Sequence, residues 1–116
     1  MRASERGVVA LEFALALPLV ALLVVGVLSL VAVVRTSLVV QEAARVGARL
    51  AAVHADDAPV VRGVVAVAGP DAVVQVGPRR VGEVVTVDVR VQHDLLGAER
   101  SVVGRAAAMV EPVVPP

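Results

Sequence analysis

Glu12 is the residue whose placement most needs a chemical explanation. It follows Gly7-Val8-Val9-Ala10-Leu11, and the stretch after it, Phe13 to Val34, contains no charged residue. Deep in hydrocarbon an ionised carboxylate costs about 2–3 kcal/mol, so such a group finds a cationic partner or stays among headgroups. The other titratable clusters are weaker. His54, Asp56 and Asp57 lie close together and His93-Asp94 forms a second pair, but neither has a metal-ligand spacing such as HExxH. The serines are Ser4, Ser29, Ser37 and Ser101, and none sits in a nucleophile elbow. Gly77-Pro78-Arg79-Arg80 reads as a turn with solvated arginines, or as a pair touching an anionic partner surface. With no Cys, thiolate catalysis, disulfides and Cys-ligated metals are excluded. The expectation is a chain that is not an enzyme and uses no cofactor, metal or small-molecule substrate.

The elements that must position Glu12 follow from periodicity. As a helix, Phe13 to Val34 is roughly 33 Å long, against a hydrocarbon core of roughly 30 Å. It spans a bilayer. Pro18 and Gly26 interrupt it in sequence only, because membrane helices tolerate both; Pro18 removes the donor that the carbonyl of Ala14 would use. Beyond the span, Val39, Ala43, Val46, Leu50 and Val53 recur at helical spacing, with Gln41, Glu42, Arg45 and Arg49 on another face. One helix is therefore expected from about Val8 to 54, ended by His54, Asp56, Asp57 and Pro59. Residues 58–111 are Val-rich and broken by Gly and Pro. Val85, Val87, Val89 and Val91 alternate with Thr86, Asp88, Arg90 and Gln92, the clearest strand. Val73 to Val76 and Ser101 to Val110 read as two more, with turns over residues 77–82 and 93–100. Pro59 to Ala68 fits helix and strand equally poorly. A sheet this small needs the amphipathic half of the helix laid across it. The fold class is α+β, a long N-terminal helix followed by a small antiparallel three-stranded sheet, with a stiff tail at residues 112–116.

A Gly followed at the fifth place by Glu and at the sixth by an aromatic, here Gly7, Glu12 and Phe13, resembles the processing site of type IV pilin-like precursors. The resemblance implies that a prepilin peptidase cuts between Gly7 and Val8 and removes the leader, residues 1–7. Gly7 lets the backbone extend in a protease cleft, and Glu12 can pair with the new amino group of a neighbouring subunit, fixing axial register. Glu12-Phe13-Ala14-Leu15, Pro18, the apolar run and Ala43-Ala44-Arg45-Val46-Gly47-Ala48-Arg49 narrow this further. They look like the TadE family, minor pseudopilins of the tight-adherence (Flp) pilus. Where family members often carry an acid near the end of the span, this chain has Ser29-Leu30-Val31. The resemblance implies other pilin and pseudopilin subunits as partners, with residues 58–111 extracytoplasmic. Small residues such as Ala14 and Gly26 would let packed helices approach closely.

The chain has 116 residues, 58% of them hydrophobic, and 11 basic against 11 acidic side chains. That length allows one span plus a modest domain, and zero net charge gives no electrostatic case for nucleic acid. Every basic residue is Arg, and Lys, Ile, Asn, Tyr and Trp are absent, the codon signature of a GC-rich genome. Basic residues flank both ends of the span, so charge alone does not orient it. Two alternatives remain at this point: a single-span anchored protein without a pilus role, and a small domain secreted after ordinary signal cleavage.

Overall fold

The computed structural model of the protein describes residues 2–112. The tail expected at 112–116 lies outside the described residues apart from Pro112, and Met1 of the leader lies outside them too. The fold is α+β: helix α1 (Arg2–Val53), helix α2 (Asp57–Ala68), and strands β1 (Val73–Val76), β2 (Val84–Leu95) and β3 (Ala98–Met109). The strands form one antiparallel sheet in the order β1-β2-β3. The chain divides into two compact units, which meet in sequence between Ala32 and Val33.

In the second unit, Val85, Val87 and Val89 of β2 are fully buried against Val40, Ala43, Ala44, Ala48 and Ala51 of α1 and Val60 and Val64 of α2. Each buried Val contributes about 1.5 kcal/mol relative to exposure. Pairing of Val74 with Val89, and of Ala106 with Val87, puts β1 and β3 residues on the same apolar face. The amphipathic half of α1 does cover the sheet, as its periodicity demands. Ala43 of the expected face is fully buried and Leu50 packs on the core, but the buried face is turned from the expected one. Val39 and Val53 are exposed, whereas Val40, Ala44, Gly47, Ala48 and Ala52 are buried. Residue size selects this face. A Cβ on Gly104 would lie 2.6 Å from the carbonyl oxygen of Val40, and one on Gly47 would lie 2.8 Å from Val64 Cγ2 and 3.0 Å from Val87 Cγ1. The backbones come too close for a row of larger aliphatics.

Residues 59–68, ambiguous in sequence, belong to α2. Asp56 caps it, its carboxylate accepting from the Ala58 amide at 3.4 Å. Asp57 and Pro59 thus open a second helix rather than only closing the first, and Pro is compatible with a first turn because no intrahelical donor is needed there. The expected turn over 93–100 shrinks to Leu96-Gly97, both at positive φ (53° and 82°). His93, Asp94 and Leu95 instead pair with Arg100, Glu99 and Ala98. Two residues at positive φ close a tight hairpin whose twist matches the strands.

Helix α1 has no basic residue in its last turn, so its terminal carbonyls are satisfied from elsewhere. The His54 amide and Nδ1–H donate to Leu50 O at 2.9 and 3.0 Å, and the Glu111 amide donates to Ala52 O at 3.2 Å. Arg79 Nε donates to Ala51 O at 3.1 Å while its Nη1 pairs with Asp57 Oδ1 at 2.5 Å. Arg79 is therefore not the solvated turn residue expected: its side chain is 18% exposed, whereas that of Arg80 is 73% exposed. It places a cation at the negative end of the helix and links that end to α2.

Candidate membrane and processing segment

The first unit is helical and bare. Every residue from Ala3 to Leu28 is exposed, and Phe13, Leu15, Leu22 and Leu28 are each more than 60% exposed. Fourteen large apolar side chains from Phe13 to Val34 are exposed. Transfer to hydrocarbon gains on the order of 15–20 kcal/mol for such a set, more than the roughly 5–15 kcal/mol of net stability in an ordinary domain. An apolar phase wins over water by that margin. By length and composition α1 is the one helix among the described residues able to cross a membrane. Pro18 lies inside it without ending it.

Gly7, Val8, Glu12, Phe13, Ala14, Pro18 and Gly26 all lie on α1 with exposed side chains or, at the glycines, open space where a Cβ would be. The helix runs through the Gly7–Val8 bond, and Glu12 makes no ion pair among the described residues. A hollow bordered by Glu5, Arg6, Val9, Ala10 and Phe13 is a gap between side chains of one helix, open to its surroundings.

Several of the remaining polar candidates are engaged in the fold of the second unit. Besides His54, Asp56 and Asp57, Asp94 accepts from the Gly97 amide at 3.1 Å within the hairpin turn. No group of three or more His, Asp or Glu residues able to hold a metal is present among the described residues. On the face of the sheet away from the helices, Arg105 donates to Asp88 through Nε at 2.6 Å and Nη2 at 3.1 Å. This two-point bond, aided by the positive charge of Arg105 and of Arg90, holds the Asp88 carboxyl below its usual 3.8 against the opposing desolvation. Gln41 Nε2 donates to the Arg105 carbonyl at 2.9 Å and ties α1 to β3. Arg79 and Gln41 were not visible as anchors in sequence, since their partners lie 28 and 64 residues away.

One N-terminal helix fit to span a membrane, followed by a small α+β unit, describes a single-pass membrane-anchored protein. The family model for TadE-like protein matches residues 7–49. The match opens on Gly7, takes in Glu12 and the apolar run, and closes on the Ala-Ala-Arg-Val-Gly-Ala-Arg segment. It points to a membrane component associated with the tight-adherence (Flp) pilus. Comparison with curated proteins and with solved structures found no match.

Proposed function

We propose that this chain is a minor pseudopilin that takes part in assembling a tight-adherence (Flp) pilus. The observation that carries the reading is the extent of the family match, residues 7–49, which spans the Gly7-to-Glu12 motif and the exposed apolar helix together. In this reading prepilin peptidase adds water across the Gly7–Val8 amide, leaving a carboxylate on Gly7 and an amino terminus on Val8. The span then holds the subunit in the membrane until its helix packs against other pilin helices. Glu12 neutralises a neighbouring amino terminus, and residues 58–111 face the extracytoplasmic side. The role is structural rather than catalytic, with contacts to pilus components and participation in cell adhesion as its outcome.

Intact mass of the protein from its native membranes tests the reading, alongside Gly7→Ala. Loss of residues 1–7, blocked by the substitution, is expected. A full-length mass in cells with active prepilin peptidase would overturn it and favour a plain anchored protein. A mature end near Arg35 would instead identify the apolar run as a removed signal.

A further inference from the structure

The far end of the β2–β3 hairpin combines three features that cost stability within the chain. Leu96 occupies the first central position of the turn at φ 53°, where Asn or Gly carries less strain. Its side chain is 79% exposed. Asp94 and Glu99 stand directly opposite each other across the ladder, an unfavourable like-charge pair. Glu99 has no counter-ion among the described residues. Strain and apolar exposure, with Asp94 and Glu99 outnumbering Arg100, meet at one place and mark a contact surface.

The same unit carries a complementary stripe. Arg45, Arg49 and Val53 follow one another at four-residue intervals along α1, all exposed. Arg49 makes no ion pair among the described residues, and Arg45 reaches only Glu42 at 3.8 Å. The spacings agree as well as the charges. Helical neighbours four apart have Cβ atoms about 5–6 Å apart, and directly opposed strand residues about 4.5–5.5 Å apart.

We propose that the hairpin tip docks on the Arg45–Arg49–Val53 stripe of a second copy of this chain. Asp94 and Glu99 meet the two arginines, and Leu96 lies on Val53. The two surfaces are different, so the contact is head-to-tail and repeats from copy to copy, giving a ring or an open filament. The inference rests on the reading of the chain as an assembling subunit and names the surfaces that subunit uses.

Because the chain has no Cys, single thiols report the contact cleanly. Two tagged full-length copies, one Leu96→Cys and the other Val53→Cys, are co-expressed and oxidised in native membranes with copper-phenanthroline and oxygen. Oxygen takes the two electrons and two protons released as the S–S bond forms. A disulfide joining the two tags is expected, and none when Val61→Cys on α2 replaces Val53→Cys. Reversing Asp94 and Glu99 to Arg in the Leu96→Cys copy should cut the yield about tenfold. Reversing Arg45 and Arg49 to Glu in the other copy should restore it. No disulfide, a yield indifferent to both reversals, or a thiol at 96 that joins only foreign proteins overturns the proposal. Intact mass of the same samples separates the two readings. Processed chains that do not cross-link sink the contact alone, and unprocessed chains that do cross-link sink the processing alone.

Discussion

At the scale of single residues, two glycines set how near α1 can come to its neighbours, and they differ in what they touch. Alanine at position 47 would gain up to about 1 kcal/mol of helix propensity. Its Cβ would meet the side chains of Val64 and Val87 at 2.8 and 3.0 Å, overpacking that costs about 1–3 kcal/mol because β-branched side chains have little room to turn. A net loss of about 1 kcal/mol is expected. Alanine at 104 would press on the backbone of Val40 at 2.6 Å, which cannot rotate away, so a larger loss of about 2–3 kcal/mol is expected. Thermal unfolding of both variants, with the ranking reversed, would show that the Val40 backbone yields. Asp88 sets an acid limit. Its folded pKa is lowered by the Arg105 bond, so its contribution is fully present above the ordinary 3.8 and fades as pH falls through the folded value. Melting temperatures of wild type and Asp88→Asn should keep a constant gap above about pH 5 and converge below about pH 4. A gap that widens on acidification would contradict this sign. Of these residues Gly47 was legible as part of a family-like motif, while its packing role was not, because Val64 and Val87 reach it only through the fold.

Among the elements, the clearest patterns in sequence became the clearest elements in space. The alternation from Val85 to Val91 is strand β2 with its odd-numbered valines turned to the helices. The uncharged run is helix throughout. Helix α2 was hidden because its apolar residues are nearly continuous, so neither a period of two nor of 3.6 stands out. The buried face of α1 is turned from the one hydrophobicity alone favours, because Ala44, Gly47 and Ala48 let the backbones approach where larger side chains would not fit. The hairpin was drawn too short since Leu-Gly lacks the Asn-Gly signature of its turn. Leu96→Asn therefore should relieve strain and raise stability by about 0.5–1 kcal/mol while weakening the association of Cys-free copies. Chemical denaturation would check the first half, and an unchanged or lower midpoint would mean that Leu96 is supported by contacts within the hairpin.

For the whole molecule, membrane association should be carried by the exposed run from Phe13 to Val34. Carbonate washing of native membranes should leave the full chain in the pellet, and replacing Leu22 and Val25 by Arg should weaken that retention, since each charge near mid-span costs about 2.5–3.5 kcal/mol. Release of the wild-type chain by carbonate would exclude an integral span. The second unit achieves its fold by a different economy. Its core cluster consists entirely of Val and Ala: Val40, Ala43, Ala44, Ala48, Ala51, Val60, Val64, Val85, Val87, Val89 and Val110. Alanine has no rotamers to lose on burial, and valine is already confined to few, so freezing this core sacrifices little side-chain entropy compared with one of Met or Leu. The small apolar area such residues provide is thus matched by a small ordering penalty, and a sheet of three strands can hold a fixed shape on that footing.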